Sequence, residues 1–351
     1  MRQAIILASV LLLASCAMMK EDRSDCPDCN NPLRIKLRYD YNTARADMFN
    51  DHVEQATVYV TDPVTRTVID WQTASNSSEG QPLRHPSFAF NFEGLRAGNY
   101  RLYATGCSKA DLAFKTTAPD VSEAISKLTF TVPAAADGTV PAQRIDTLWN
   151  TLKPVDVTIS EDKPTEATIP LMRLTNDLNI VAFRRDGSLD NGHERYDVTV
   201  TDQHLTLGSD NEPTADQTLT YHPFAAWTTE ATVPDGTRTD GETIAERNAH
   251  YDLSLSRLLL HSDDARRNAR LIIRNHETGH EIVNIDLCYY LALARNAYEI
   301  HHYSQQEYLD REYDYRLDFG IEGTGTAETW KYMTISINVL SWALRIQNEE
   351  L

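Results

Sequence analysis

The sequence predicts an all-β protein built from antiparallel β-sandwiches. Nine segments of five to seven residues alternate apolar and polar side chains, which is the period-two pattern of strands with one buried face. Gly, Pro, Asn and Asp separate them, as expected for many short strands joined by turns. No segment alternates strands with long helices in a βαβ rhythm. The nine segments are residues 33–39, 56–60, 88–92, 128–132, 155–159, 178–182, 196–200, 313–319 and 333–339.

The first fifteen residues are predicted to be a lipoprotein signal peptide. Arg2 gives a basic start, residues 4–14 are apolar, and Leu13-Ala14-Ser15-Cys16 has the pattern of a lipobox ending in the cysteine that receives the lipid. The apolar run is shorter than the roughly 20 residues that cross a bilayer as a helix. The alternative is a buried N-terminal helix, but the charged residues 20–25 could not continue it into a core. Cleavage before Cys16 would leave a body held to a membrane by acyl chains.

The length of 351 residues predicts about two domains after the signal peptide. Residues 16–32 are polar and poor in strand patterns, which indicates a flexible tether that begins at the lipidated Cys16. A polar, proline-containing stretch at residues 161–165 is the expected boundary between sandwiches at residues 33–163 and 164–351. Three helical patches are predicted in the second half, at residues 253–260, 287–298 and 304–311.

Charge excludes nucleic acid as a partner. The formal net charge is −18, and removal of residues 1–15 leaves 32 basic against 51 acidic residues, a net charge of −19. Such a surface repels phosphate backbones and anionic lipid headgroups. No second apolar run is long enough to span a bilayer.

The strongest catalytic motif is the H-E-x-x-H sequence of His276, Glu277 and His280. In zinc proteases a helix places both histidines of this motif on one face. Here the flanking residues 271–273 and 281–285 are typical of strands, and Asn275 and Gly279 favour a turn. We expect a hairpin with Glu277 to Gly279 at its tip, in which the histidines do not hold a metal.

The remaining motifs give no catalytic site and no cofactor. Cys26 and Cys29 form a C-x-x-C without a thioredoxin-like setting or a second such pair for zinc, so a local disulfide or two unpaired thiols is expected. His301 and His302 are expected to be a solvated pair. The chain has no nucleophile elbow, no Walker loop and no G-x-G-x-x-G motif. We predict that the protein is not an enzyme.

Three stretches together resemble a known family. The first is Cys26-Pro27 followed by the strand 33–39 and Asp40-Tyr41-Asn42; the second is the glycine turn and strand of residues 94–106. The third and most specific comprises residues 306–312, Trp330 and residues 335–342. With the lipobox, they resemble the FimB/minor-fimbrium anchor family of Bacteroidales type V fimbriae, over nearly the whole mature chain.

The resemblance implies two transthyretin-like β-sandwich domains in tandem. It also implies a lipid-anchored outer-membrane protein at the fimbrial base, which attaches the shaft, nucleates its assembly and limits its length. Its partner would be a fimbrial stalk subunit, bound by strand addition or edge contact. Lys20, Glu21 and Asp22 resemble the acidic signal that directs lipoproteins of this phylum to the cell surface.

The resemblance further implies that an anchor keeps its first strand, residues 33–39, whereas stalk subunits lose theirs to an arginine-specific protease. Strand pairing should protect Arg34 and Arg38, while cleavage at Arg23 stays open. Residues 330–345 are expected to form the last strand, and the fibre contact is expected at an exposed sheet edge. In that strand Met333, Ile335, Ile337 and Val339 should point inward, with Trp342 closing the core, and Thr334, Ser336 and Asn338 should face outward.

Two other functions are left open by the sequence. A surface-tethered module that binds glycan or a host ligand would show aromatic side chains clustered on an exposed sheet face or loop tip. A surface hydrolase would need polar residues that converge in a pocket.

Overall fold

The computed structural model describes residues 32–109, 112–160, 163–184, 191–234, 243–339 and 342–348. In these residues the protein consists mainly of β-strands in three sheets, with a few short helices. The structure is mostly β, which confirms the β-rich part of the prediction, and each of the nine segments with period-two alternation contains a strand. None of the described helices is long and apolar enough to cross a bilayer.

The first sheet contains eight strands: β1 (Leu33–Arg38), β2 (Gln55–Thr61), β3 (Val68–Ser75), β4 (Phe90–Phe92), β5 (Gly98–Cys107), β8 (Leu148–Thr151), β9 (Val155–Ile159) and β10 (Thr165–Arg173). Seven lie side by side in the order β3-β2-β5-β8-β10-β1-β4, and β9 also pairs with β5. The sheet curls until its edge strands approach each other. Gln72 Nε2 of β3 donates a hydrogen bond to the Asn91 carbonyl of β4 at 2.7 Å.

The other two sheets contain six strands each. The second has the order β14-β15-β11-β18-β19-β20, with β11 (Thr175–Arg184), β14 (Ala225–Pro234), β15 (Thr243–Ser256), β18 (Asp314–Glu322), β19 (Thr329–Val339) and β20 (Trp342–Asn348). The third has the order β17-β16-β12-β7-β6, and β13 also pairs with β12. Its strands are β6 (Lys115–Thr117), β7 (Thr129–Thr131), β12 (Tyr196–Gly208), β13 (Pro213–Tyr221), β16 (Arg270–Asn275) and β17 (Glu281–Asp286).

Two strand pairs depart from the predicted antiparallel arrangement. β1 runs parallel to β10 over six residue pairs, from Leu33 opposite Thr165 to Arg38 opposite Pro170. β11 runs parallel to β18 over eight pairs. Parallel partners need a long crossover connection, and here each pair is separated by several other strands in the sequence. Period-two alternation carries no information about strand direction, so the sequence pattern could not reveal these pairs.

The described residues form two hydrophobic cores. The smaller core lies inside the first sheet and contains Leu33, Ile35, Phe92 and Trp149. In the larger core, side chains of the second and third sheets meet those of the short helices, and Phe114, Phe130 and Ile145 from the first half of the chain join them. The expected junction at residues 161–165 lies between β9 and β10, which belong to one sheet. The chain passes to the second sheet at Leu174.

The described residues include four short α-helices: α1 (Phe49–His52), α2 (Leu287–Ala292), α3 (Ala297–His302) and α4 (Gln305–Arg311). The predicted helix at residues 304–311 is confirmed, because Ser304 caps α4 by accepting a hydrogen bond from the Glu307 amide. The predicted helix at residues 287–298 is two helices, because Asn296 and Glu299 form a capping box that begins α3 anew. The predicted helix at residues 253–260 was wrong: Leu253 and Leu255 lie in β15, paired with β11.

Candidate functional site: the first strand and the sheet edges

The first strand has the predicted orientation. Leu33 and Ile35 are fully buried, Leu37 and Tyr39 are also buried, and Arg34, Lys36 and Arg38 alternate with them on the outer face. Arg34 Nη1 lies 3.1 Å from Glu166 Oε1 of the parallel neighbour β10. The strand predicted at residues 33–39 is therefore confirmed as an integral part of the first sheet.

One half of β1 has an open edge. On its β10 side the strand is paired throughout, whereas β4 pairs only with Leu33, Arg34 and Ile35. Beside Lys36, Leu37 and Arg38 the described chain leaves a groove of about 240 Å³, lined also by Asp47, Phe49, Asn50, Phe88 and Phe90. An open strand edge above apolar side chains can accept an extended segment of another chain.

The end of the chain forms a hairpin where one strand was predicted. Residues 330–345 were expected to form the last strand, but β19 ends at Val339 and β20 runs back beside it, from Val339 opposite Trp342 to Met333 opposite Asn348. β20 is the terminal strand in the order of the second sheet. Its backbone groups on the outer side form an edge to which another strand could be added. The alternation of Leu344 and Ile346 with Arg345 and Gln347 was the sequence signal for this strand.

The inward positions of β19 are confirmed where the structure describes them. Met333 and Ile335 are buried in the larger core. Thr334 and Ser336 lie on the opposite face, opposite Asp318 and Arg316 of β18, but they are also buried instead of facing open solvent. The prediction that Thr334 and Ser336 face outward was therefore wrong, because both faces of β19 are covered at this point. The side chains of Ile337, Asn338, Val339 and Trp342 lie outside the described set.

The H-E-x-x-H segment is a hairpin, as predicted. β16 and β17 pair as antiparallel neighbours, and Gly279 adopts a φ of +67° in the turn that joins them. His276 Nδ1 lies 2.9 Å from Asp197 Oδ1, while His280 Nε2 lies 2.9 Å from the Glu328 carbonyl oxygen. The two imidazoles thus contact different neighbours. In the described parts of the chain, no three His, Cys, Asp or Glu side chains are grouped to hold a metal ion.

A buried ion network beside this hairpin was missed at the sequence level. The Glu328 carboxylate is fully buried and accepts hydrogen bonds from Arg184 Nη1 at 2.9 Å, Arg195 Nε at 3.1 Å and Asn275 Nδ2 at 2.6 Å. Burial alone would raise the pKa of Glu328, but hydrogen bonds from Arg195 and Asn275 outweigh it and lower the pKa. The network ties β11, the start of β12, the hairpin and the loop before β19 together. Nothing in the local sequence distinguishes Glu328 from other polar loop residues.

The other predicted site residues fall outside the described part of the chain. These are the lipidation residue Cys16, the export signal of Lys20, Glu21 and Asp22, and the pair Cys26 and Cys29. The described cysteines, Cys107 and Cys288, are free thiols. Burial raises the pKa of the Cys107 thiol to about 11 and that of Cys288 further, so neither has the character of a nucleophile.

The family of the chain follows from sequence comparison. Residues 23–348 match the family described as Mfa2: fimbrillin-A associated anchor proteins Mfa1 and Mfa2. This chain belongs to that family. The resemblance to fimbrial anchors is thereby confirmed. The Mfa2 family is structural and non-catalytic, and membership implies association with fimbrial subunits and is consistent with the cell surface. No curated protein sequence matches the chain.

Several solved structures have a similar fold. A proposed adhesin of Bacteroides thetaiotaomicron VPI-5482 has a TM-score of 0.71 at 23% identity, covering 92% of this chain and 100% of its own. A proposed polysaccharide-binding protein of the same organism has a TM-score of 0.69 at 23% identity, covering 91% and 99%. The fimbrial anchor protein Mfa2 of Porphyromonas gingivalis has a TM-score of 0.59 at 13% identity, covering 90% and 99%. At these identities the similarity shows a shared fold alone.

Proposed function

We propose that this Mfa2-family protein is the lipid-anchored base of a fimbrium, which attaches the shaft to the outer membrane, nucleates its assembly and limits its length. The family match over residues 23–348 carries the proposal. Cys16 would carry the acyl chains, each buried CH₂ contributing about 0.8 kcal/mol to membrane binding. Lys20, Glu21 and Asp22 would direct the protein to the cell surface. The role is structural, with no catalytic activity and no cofactor.

The state of the first strand supports an anchor over a stalk subunit. In the fibres that the family resemblance implies, stalk subunits lose their first strand before they polymerise. Here β1 is paired with β10 along its whole length and buries Leu33 and Ile35 completely. Removing such a strand would expose a large apolar area to water, and each Å² exposed would cost about 25 cal/mol of folding free energy. The chain is therefore suited to retain β1, the strand that directly follows the proposed membrane tether.

The stalk subunit is proposed to bind by strand addition or edge contact. β20 is the favoured edge, because it is the terminal strand of the second sheet and lies at the far end of the chain from the tether. The groove beside Lys36, Leu37 and Arg38 is the second candidate. Both offer unpaired backbone groups within the described residues, as β-strand addition requires.

The two hydrophobic cores support the further proposal of two transthyretin-like sandwiches in tandem. Their division does not follow the sequence strictly, because β6 and β7 of the first half pair within the third sheet. We therefore place the unit around the smaller core at residues 33–109 and 148–173, and the second unit around the remaining described residues.

A glycan-binding role, which the description of one similar structure suggests, has less support. Sugar rings stack on aromatic side chains with a free face. Tyr298 is the centre of an exposed aromatic group, but the Arg45 guanidinium lies 3.9 Å and the His302 ring 3.7 Å from its ring centre. Two groups this close must cover opposite faces of the ring. The exposed Trp71 and Trp227 lie in different sheets, on β3 and β14.

The proposal is tested by removing the protein from a fimbriated cell and restoring it from a plasmid. Without the anchor, we expect fibres that are longer and are shed into the medium; with it, fibres of normal length on the cell. Electron microscopy gives fibre length, and immunoblots of cells and medium give attachment. Fibres of unchanged length that stay on cells lacking the protein would refute the anchor role.

A further inference from the structure

Exposed apolar side chains are concentrated on two of the short helices. Nine large apolar side chains are exposed in the described residues, and four of them lie within positions 289–300, on α2, on α3 and in the link between these helices. We call these four the α2–α3 face: Tyr289, Leu293, Tyr298 and Ile300. A cluster of exposed apolar side chains on a soluble protein commonly marks a surface that contacts a partner or a membrane.

The two helices that carry the α2–α3 face are fixed against each other. The Arg295 guanidinium donates hydrogen bonds to the Ala292 carbonyl at the end of α2, at 2.9 Å, and to the Tyr303 carbonyl just after α3, at 3.2 Å. The ends of both helices are thus held beside one side chain. Tyr289 and Leu293 are four positions apart and therefore project from the same side of α2. The exposed side chains of both helices belong to one connected unit.

The α2–α3 face carries no exposed acid, although the chain has a formal net charge of −18. Glu299 is the one acid within residues 287–304, and it is buried and accepts a hydrogen bond from the Asn296 amide at 2.8 Å. Asp286, just before α2, accepts from the Tyr289 amide at one carboxylate oxygen and from Asn268 Nδ2 at the other. The basic side chains in or beside the face are Arg45, Arg295, His301 and His302. Within this segment the surface is therefore apolar and neutral to basic.

The proposed tether is long enough to bring this face to a membrane. β1 begins at Leu33, directly after the tether, and its other end leads to Arg45, whose guanidinium lies 3.9 Å from the ring centre of Tyr298. A strand of six residues spans about 20 Å. The 17 residues from Cys16 to position 32 reach at most about 55–60 Å when extended. The tether thus exceeds the length of β1, which separates its end from the side of the body that carries the face.

We propose that the α2–α3 face rests on the lipid surface when the protein is anchored, and that it sets the orientation of the body on the membrane. This inference rests on the proposed function, because the lipid at Cys16 keeps the body near the membrane. Tyrosine is enriched where a bilayer meets water, since its ring is apolar and its hydroxyl is polar. Leucine and isoleucine side chains enter the boundary between headgroups and acyl chains.

The charge distribution favours lipid contact at this face over the rest of the body. Acidic surfaces are repelled by anionic headgroups, so a segment without exposed acids is the one that can turn toward the membrane. A fimbrial subunit that binds by strand addition requires unpaired strand backbone. The α2–α3 face consists of helices, which satisfy their backbone groups internally and offer no such edge.

The proposal is tested with the mature chain, residues 16–351, coupled through Cys16 to a maleimide-bearing lipid in phosphatidylcholine vesicles. Cys26→Ser and Cys29→Ser leave Cys16 as the reactive thiol, because burial raises the pKa of both Cys107 and Cys288. The coupled lipid replaces any natural acylation. The result is therefore independent of whether Cys16 is lipidated in the cell, and of fimbriae.

Hydroxyl-radical footprinting, read by mass spectrometry, measures the accessibility of each side chain. The reference is the same chain capped at Cys16 with N-ethylmaleimide, without vesicles. On vesicles, modification of Tyr289, Leu293, Tyr298 and Ile300 should fall several-fold relative to Trp71, which is exposed on β3. Unchanged accessibility of the four side chains would overturn the proposal. So would protection that is missing on vesicles and occurs only on fimbriated cells, because it would assign the face to a protein partner.

A second apolar cluster provides the matched control variant. Ile69, Trp71 and Val121 are exposed by 38–49%, but an acid lies among them, since Trp71 Nε1 donates to Asp120 Oδ1 at 3.2 Å. Replacing these three by serine should leave the protection of Tyr298 unchanged. Tyr289→Ser with Leu293→Ser and Ile300→Ser should remove it. Both variants change exposed side chains and should keep the thermal transition of the wild type; protection of Tyr298 that persists in the second variant would contradict contact through this face.

Discussion

At the scale of single residues, buried carboxylates determine how the protein responds to pH. Glu328 and Glu312 are both buried, yet their pKa values move in opposite directions. Glu328 is held by two arginines and an asparagine, which favour its charged form. Glu312 accepts from Thr43 and from the amides of Tyr313 and Asp314, but burial dominates and raises its pKa to about 7. A neighbouring cation, more than the depth of burial, decides whether the charged or the protonated form of a buried carboxyl group is favoured.

Glu328→Gln should destabilise the protein by about 3–5 kcal/mol, because it leaves two arginines without their buried anion. Urea unfolding near neutral pH measures this loss. Glu281→Gln is the matched control: its ion pair with Arg274 is at the surface, and its loss should cost less than about 1 kcal/mol. The lowered pKa of Glu328 means that its contribution is present above about pH 4.5 and is lost on acidification below that value. Equal losses in both variants would contradict this account.

Glu312 should have the opposite pH dependence. Its folded pKa of about 7 lies above the ordinary value of 4.5, so its contribution to stability is fully present below about pH 4.5 and is lost as the pH rises through 7. We expect Glu312→Gln to flatten the fall in stability between about pH 5 and about pH 8. Glu307→Gln, on the neighbouring α4, should leave the wild-type slope. Unfolding free energies across this pH range measure the effect, and identical slopes for all three proteins would rule it out.

At the scale of elements, β1 is the strand whose fate separates an anchor from a polymerising subunit. Ile35→Ala should cost about 2–5 kcal/mol of stability, because a fully buried side chain leaves a cavity. The adjacent Lys36→Ala, on the exposed face, should change stability by about 0.5 kcal/mol or less. N-terminal sequencing of protein from the cell surface should place the first residue before Leu33. A first residue beyond Tyr39 would show that the strand is removed and that the chain polymerises.

The C-terminal hairpin gives the second prediction at this scale. Deletion of residues 341–351 removes all of β20 and should detach fibres, while lipidation and surface display persist. Deletion of residues 349–351 leaves β20 complete and serves as the control. If β20 only completes its own sheet, fibres will stay attached at normal length on cells that display the shorter protein, and the contact must lie at another edge. Fibre counts on cells, with palmitate labelling of both variants, distinguish these results.

The sequence predicted elements better than it predicted their partners. Alternation at residues 33–39 and 196–200 identified buried faces, because period-two patterning follows directly from strand geometry. Leu253 and Leu255 were assigned to a helix, because a short apolar run does not reveal its period until a neighbouring strand is known. The parallel pairing of β1 with β10 and the contacts of Glu328 with Arg184 and Arg195 join residues more than a hundred positions apart, and the groove beside β1 is lined by several separate segments of the chain. Local sequence patterns give no information about contacts between distant segments.

At the scale of the whole molecule, we propose separate tasks for Cys16 and for β20. A lipid at Cys16 would hold the protein to the membrane, and β20, the terminal strand of the second sheet, offers an edge to a fimbrial subunit. Between them, three sheets and two cores form the described body, in which Thr43, shortly after β1, donates a hydrogen bond to Glu312, shortly before β18. The net charge of −19 after removal of residues 1–15 keeps this body from adhering to anionic headgroups. Under this proposal, the tether and the lipid supply the attachment to the membrane.

The most direct test of the anchor role is the distribution of fimbriae between cells and medium in a strain that carries Cys16→Ala. Without acyl chains the protein loses its membrane attachment, so we predict that it incorporates no labelled palmitate and that fibres with the variant at their base appear in the medium. Cys107→Ala, which removes a half-buried thiol elsewhere, should leave fibres on the cells. Fimbriae that remain fully cell-bound with Cys16→Ala, together with a wild type that takes up no palmitate, would contradict the account.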